Sequence, residues 1–344
     1  MVGCVIIDPD GCKVGEGYHL QPGQPHAEVN ALANAGHGAA GATAYVTLEP
    51  CSHFGRTPPC VDALIGAGVK SVVVAMTDPD LRVSGRGIEQ LLSAGIQVRT
   101  GVLEDEARSL NRAYIHHRTT GMPWVTVKVA VTLDGKIATA GGDSKWITGP
   151  ITRKWVHRQL RDRCDAILVG VNTVLSDDPE LTTRLSSKNG RNPLRVIVDS
   201  HLRTPLDSKV VKQSEVDGKT IIACLAQFEQ SRLREYVNRG VLAAPMQPDN
   251  NNRVDIVELL SWLGTSKDVA AVLVEGGAEI IGSLFERQLV NRYVSAIAPK
   301  IIGGKSAIGP IGGFALASTM KEAVVLEQWR ARRCAADLVI DALL

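Results

Sequence analysis

His26-Ala27-Glu28, Pro50-Cys51 and Cys60 decide how the first third of this chain is read. His26, Cys51 and Cys60 supply one imidazole and two thiols, a donor set suited to tetrahedral zinc whose fourth position stays open to water. Glu28 adds a carboxylate that need not bind metal. In hydrolytic zinc deaminases such a glutamate moves protons while activated water attacks an amino-bearing ring carbon. His26 and Glu28 are two residues apart, which on a regular helix places them on different faces. Both reach one metal only if the helix points its N-terminus at the site. Pro25 before His26 and Val29-Asn30-Ala31-Leu32-Ala33 after it predict such a helix start. Cys51 follows a strand end and Cys60 opens a helix after Pro58-Pro59, where the helix N-terminus favours the metal-binding thiolate. The general deaminase pattern has two residues between its cysteines, whereas Ser52 to Pro59 intervene here. Spacing alone therefore leaves a structural zinc site open, and the free carboxylate of Glu28 favours catalysis.

Working outward, 344 residues are enough for two domains with separate cores. Hydrophobic content of 44% and charged content of 22% are ordinary for a globular protein. A net charge of +2 and 4% aromatic residues give no electrostatic or stacking case for a nucleic acid or membrane partner. No apolar run approaches the roughly 20 residues that span a bilayer. The start, Met1-Val2-Gly3-Cys4-Val5-Ile6-Ile7-Asp8, lacks the basic and long apolar parts of a signal peptide. Seven cysteines without a regular framework argue against a disulfide scaffold, so a reduced cytoplasmic protein is expected.

An α/β order is predicted throughout. A hairpin from Val2 to Tyr18 turns at Asp8-Pro9-Asp10-Gly11. Then come a helix at 26–35, a strand at 44–48, a helix at 60–67, a strand at 70–76, a helix at 88–94 and a strand at 97–100. Glu104 to Thr119 predicts one polar helix ending at Thr120-Gly121-Met122-Pro123, which sets a domain boundary between 120 and 121. Beyond it, Val125, Val127, Val129 and Val131 alternate as in a strand, and further strands are predicted at 166–169, 194–199, 220–225, 271–275 and 293–298. The stretches 184–192 and 243–252 read as surface loops. Three polar groups stand at strand ends of this half: Lys128 leading into Thr132-Leu133-Asp134-Gly135-Lys136, the loop 142–149, and Val274-Glu275-Gly276-Gly277-Ala278. The last passes from strand through paired glycines to a helix, a turn that offers backbone N–H groups to a phosphate. It is not GxGxxG, and from Gly-Gly alone a tight turn with no ligand is the favoured reading.

His26-Ala27-Glu28, the run Gly41 to His53, and Gly55-Arg56-Thr57-Pro58-Pro59-Cys60 closely resemble the bacterial bifunctional riboflavin biosynthesis family, RibD. The resemblance continues through Asp78-Pro79, Gly85-Arg86-Gly87 and the whole second half. It implies an N-terminal cytidine-deaminase-like domain over 1–120 and a C-terminal dihydrofolate-reductase-like domain over 121–344. By the same resemblance His26, Cys51 and Cys60 are zinc ligands, Glu28 is the catalytic proton donor, and His53 and Arg56 are placed to touch substrate. The implied substrate is a phosphorylated aminopyrimidine: a diaminopyrimidinone is deaminated, and its ribosyl arm is then reduced by NADPH. Ala130, Trp146, Thr173, Asp177, Ser200, Gly277, Ala278, Glu279, Ile280, Ile281, Gly282 and Ser283 would line the NADPH site. Ser144, Arg161, Leu181, Arg184 and Glu275 would contact the reductase substrate, with the arginines as phosphate clamps. The resemblance also implies a homo-oligomer.

One departure stands out. Members of that family begin with an additional helix ending in Pro-Asn-Pro before the segment matching Val2-Gly3-Cys4, where this chain has Met1. Two consequences are possible: a start codon recorded too far downstream, or a deaminase half lacking one substrate contact and exposing apolar surface. The first is preferred because every other catalytic position is intact. The rival function is a reductase whose deaminase half is impaired.

Overall fold

The computed structural model describes every residue except 1, 21–22, 56, 81–82, 186–189, 228–229 and 314–315. Arg56, a predicted substrate contact, lies outside the described residues. The chain divides into two compact units, Met1–Thr120 and Gly121–Leu344.

The first unit is a five-stranded sheet of β1 (Gly3–Ile7), β2 (Lys13–Tyr18), β3 (Thr43–Val46), β4 (Ser71–Val74) and β5 (Gln97–Thr100), in the order β2-β1-β3-β4-β5. β1 runs antiparallel to both β2 and β3, while β3, β4 and β5 are parallel. Alternation decides the faces. Cys4, Ile6, Ala44, Val46, Val72 and Val74 are buried with Ala27, Ala31, Val61, Leu64 and Leu91 of the covering helices. The helix Ala27–Ala35 lies close on β2 because that strand carries glycine where it passes beneath. A Cβ at Gly17 would stand 2.4 Å from the Ala27 carbonyl oxygen and 2.4 Å from the Ala31 nitrogen. This close approach aims the helix start at the ends of β3 and β4. Val5, Tyr45 and Val73 are register neighbours across β1, β3 and β4, and with Leu103 and Leu110 they line a hollow of about 920 Å³. Tyr45, Leu103 and Leu110 are exposed, so apolar surface is open there.

The predicted single helix over 104–119 is two, Glu104–Leu110 and Arg112–Thr120. The break falls at Asn111, a buried residue whose amide turns toward Met76 Sδ at 3.9 Å.

The second unit carries β6 (Trp124–Thr132), β7 (Ala166–Gly170), β8 (Leu194–Val198), β9 (Thr220–Leu225), β10 (Leu242–Met246), β11 (Ala271–Val274), β12 (Arg292–Ala298), β13 (Gln328–Cys334) and β14 (Asp337–Leu343). Their order is β10-β9-β8-β7-β11-β6-β12-β14-β13. The strands from β10 to β12 are mutually parallel, and β14 and β13 finish the sheet antiparallel. Helices cover both faces, giving two apolar cores, one around Val127, Leu168 and Val274 and the other around Ile167, Ile197 and Leu273. β10 corrects the predicted loop over 243–252: its edge position tolerates Pro245, which reads as a breaker in sequence. The β13–β14 hairpin has no clear signal in the sequence, since Trp329, Arg330, Arg332 and Arg333 are exposed and leave β13 without an apolar alternation. Among the described residues no helix is long and apolar enough to cross a membrane.

Candidate active sites

In the first unit three chain segments meet at the ends of β3 and β4. His26 is the N-cap of the helix Ala27–Ala35, Cys60 is the first residue of the helix Cys60–Gly66, and Cys51 lies in the loop leaving β3. The ligand atoms of His26, Cys51 and Cys60 all lie within 4.8 Å of one another. His26 Nδ1 is 3.2 Å from Cys60 Sγ and 3.5 Å from Cys51 Sγ. Tetrahedral zinc, with Zn–S near 2.3 Å and Zn–N near 2.0–2.1 Å, spaces sulfur and nitrogen by about 3.5 Å, so the donor set and its spacing fit that ion. The other imidazole nitrogen, Nε2, meets Thr57 Oγ1 at 3.2 Å, which fixes the ring with Nδ1 toward the sulfurs. The Cys60 backbone N–H points at Cys51 Sγ at 3.3 Å, the helix-start interaction that favours a thiolate. Hydrogen bonding from the Cys60 thiol lowers the Cys51 thiol to about 4, with His26 and that N–H contributing. The same coupling, together with burial, pushes Cys60 up.

Glu28 enters the site from the first turn of the helix Ala27–Ala35. It is buried, and its Oε2 has no hydrogen-bond partner among the described residues. Burial pushes its carboxyl up to about 7, with Cys51 adding to the rise and His26 opposing it. His53 is exposed in the loop between the two cysteines.

Several residues that hold this site in place were not identified from sequence. Glu49, buried between Leu48 and Pro50, accepts backbone N–H bonds from Asp78 (3.1 Å), Gly85 (3.0 Å), Gly87 (3.0 Å) and Ile88 (3.4 Å). It thereby ties the loop after β4 to the loop that carries Cys51. A Cβ at Gly87 would stand 2.1 Å from the Pro50 carbonyl oxygen, so the two loops touch through glycine. Tyr114 donates to both oxygens of Asp78 at 3.1 Å. His19 meets the His26 ring edge-on, with centroids 5.1 Å apart. An acid at an apolar strand end was the available signal for Glu49; nothing local marked His19.

In the second unit the parallel strands end in a cleft of about 1610 Å³. All the residues expected at the NADPH and reductase-substrate sites line it except Gly282, which is buried in the helix Ala278–Glu286. That helix follows Gly276-Gly277, and Gly277 has φ +84°, a left-handed conformation that suits glycine. A Cβ at Gly276 would stand 2.8 Å from Thr173 Oγ1, so a side chain there would fill the cradle before the helix. The open cradle and the helix start fit a dinucleotide's phosphates. Ser144 donates to Asp177 Oδ1 at 3.3 Å, and the Arg153 guanidinium lies 4.4 Å from the Trp146 ring centre.

Deeper in the cleft, Arg161 Nε donates to both Glu275 oxygens at 3.1 Å, Nη2 also bonds Glu275, and Nη1 donates to the Thr182 carbonyl at 2.8 Å. Arg161 therefore first anchors Glu275, while Arg184 is partly exposed and paired with Glu180 at 3.1 Å. Burial alone would raise the Glu275 carboxyl, but Arg161 and Lys128 outweigh it and hold it at about 2. Lys128 lies beside Glu275 because Val127 and Val274 are register partners of β6 and β11; burial lowers its ammonium. A lysine inside a run of valines was the sequence signal for this group.

The family model for the RibD C-terminal domain matches residues 123–340, and that for the cytidine and deoxycytidylate deaminase zinc-binding region matches residues 1–76. The riboflavin biosynthesis protein RibD of Actinobacillus pleuropneumoniae is 43% identical over 341 residues, covering 99% of this chain and 88% of that protein. RibD of Aquifex aeolicus is 42% identical over 339 residues, covering 98% and 90%. Among solved structures, Acinetobacter baumannii RibD superposes with a TM-score of 0.88 at 37% identity, covering 99% of this chain and 91% of that one. A Thermotoga maritima diaminohydroxyphosphoribosylaminopyrimidine deaminase/5-amino-6-(5-phosphoribosylamino)uracil reductase gives 0.82 at 33% identity, with the same coverage. With both halves matched and nearly the full length aligned, the chain belongs to the RibD family of riboflavin biosynthesis proteins.

Proposed function

We propose that the chain catalyses two successive steps toward riboflavin. Water first replaces the 2-amino group of a diaminopyrimidinone bearing a phosphoribosylamino arm, releasing ammonia. A hydride from NADPH and a proton then convert the ribosyl arm to a ribityl arm. The reading is carried by the convergence of His26 Nδ1, Cys51 Sγ and Cys60 Sγ beside a buried carboxylate oxygen of Glu28 that no group among the described residues satisfies.

His26, Cys51 and Cys60 would hold zinc, which when bound supplies Lewis acidity toward water. Glu28 would take up a proton at Oε2 and return it to the departing amine. Thr57 keeps the imidazole oriented. In the reductase half, NADPH supplies the hydride, and the protein orients the two reactants. Glu275, ionised between Arg161 and Lys128, would accept from the sugar's hydroxyl groups, and Lys128 Nζ would hold the proton nearest the reacting arm. Arg184, at the rim, would meet the phosphate. A reductase with an impaired deaminase half is disfavoured, because the donor set and Glu28 are assembled together.

Zinc removal separates the two activities. Treating the purified protein with a strong zinc chelator is expected to stop ammonia release and to leave NADPH oxidation on the deaminated substrate intact. Added zinc should restore the first step. Parallel loss of both activities, or ammonia release that survives full metal removal, would refute the assignment.

A further inference from the structure

The cleft of the second unit crosses four neighbouring strands, and each contributes a different chemistry. Lys128 on β6 and Glu275 after β11 form the reacting end, and the glycine cradle before the helix Ala278–Glu286 meets Thr173 beyond β7. Beyond β8 the wall is the turn from Ser200 to Arg203. Three strand spacings separate β6 from β8, about 14 Å. A dinucleotide with its reactive ring at β6 and its phosphates at the cradle would lay its adenosine ribose against that turn.

The turn is rigid. The Asp199 carboxylate accepts from Thr204 N and Oγ1 at 2.7 Å each, and the Tyr236 hydroxyl donates to the Leu202 and Thr204 carbonyls at 3.2 and 2.6 Å. Arg232 also donates to the Leu202 carbonyl, and Val254 N–H donates to Ser200 Oγ at 3.0 Å. Arg203 projects from this frame into the cleft and is exposed. Four other cations of the cleft face acids: Lys145 faces Asp177, Arg161 faces Glu275, Lys209 faces Asp178 and Arg253 faces Glu279. Arg203 instead donates from Nη2 to the neutral Asn172 Oδ1 at 3.0 Å. That bond orients the guanidinium without cancelling its charge, leaving most of its five donors for an anion.

We infer that Arg203, aligned by Asn172, recognises the 2′-phosphate on the adenosine ribose and makes the reductase half select NADPH over NADH. Dinucleotide sites discriminate at this point, with an acid for a ribose hydroxyl or an arginine for a phosphate, and here the turn presents an arginine. Guanidinium geometry suits a phosphate, and the rigid turn limits the ordering cost on binding. The inference rests on the reductase reading above.

Direct binding tests it without turnover. Full-length protein, either wild-type, Arg203→Gln or Arg203→Lys, is titrated calorimetrically with NADPH, NADH, adenosine 2′,5′-bisphosphate and adenosine 5′-monophosphate. Arg203→Gln is expected to weaken NADPH and the bisphosphate by roughly 10–100-fold, the scale of a charge-assisted hydrogen bond, and to leave NADH and the monophosphate unchanged. Arg203→Lys should retain part of the preference, and the wild-type preference should shrink as salt is raised. Equal weakening of NADPH and NADH by Arg203→Gln, or no weakening of either, overturns the inference while the reductase reading stands. Wild-type protein that binds neither dinucleotide overturns both.

Discussion

Glu28→Gln is expected to abolish ammonia release from the diaminopyrimidinone and to leave zinc bound. The substitution keeps the shape and volume of a buried side chain, and His26, Cys51 and Cys60 could supply the metal donors without it. What it removes is a group able to carry a proton at Oε2, the oxygen that no donor among the described residues satisfies. Positioned proton transfer contributes on the order of 10²–10⁴ in rate, so the deaminase should fall by at least that range. NADPH oxidation on the deaminated substrate, housed in the other unit, should be unchanged. Metal analysis of the purified variant and separate ammonia and NADPH assays check this. A variant that loses its zinc, or one that still releases ammonia at the wild-type rate, removes Glu28 from its role.

Glu275→Ala should cost the reductase both its activity and much of its stability. The Glu275 side chain is 5% exposed and its partner Arg161 13%, so the alanine leaves Arg161 and Lys128 as two largely buried cations without the carboxylate that balances them. Breaking a buried pair by removing one partner costs about 3–5 kcal/mol. For a unit of this size that lowers the melting temperature by roughly 10 °C. The sign of the pH dependence follows from the depressed carboxyl. Its stabilisation is complete above the ordinary value of 4.5 and is lost as pH falls toward about 2. Wild-type and variant melting curves should therefore differ at neutral pH and converge in acid. Glu275→Gln keeps the shape but not the charge and should fall between them. Equal melting temperatures at pH 7 would mean that the pair is not holding the cleft together.

The two halves differ in how much of each was legible beforehand. In the first, the candidate ligands sit at element boundaries that proline marks, so His26 and Cys60 could be placed at helix starts from sequence alone. In the second, the alternation of Val125 to Val131 and the paired glycines Gly276-Gly277 located strand and cradle, but roles came from resemblance. What stayed hidden has a common physical origin. The bonds of Glu49 to Asp78, Gly85 and Gly87, and the edge-on contact of His19 with His26, join segments that no local pattern links. β10 was hidden because Pro245 is tolerated only on an edge, and being an edge is a property of the finished sheet. Likewise, nothing in the sequence separates an arginine that clamps phosphate from one that, like Arg161, is already committed to Glu275.

The carboxylate of Glu49 has a consequence for how firmly the candidate site would keep a metal ion. It stands two residues before the candidate sulfur ligand Cys51 and is gripped by a segment from which no described residue joins the candidate metal group. That segment would work as a backstop, limiting how far the loop that carries Cys51 can retreat from a bound ion. Sequence drift behind the ion, at Gly85 or Gly87, would retune zinc retention while every coordinating side chain stayed the same.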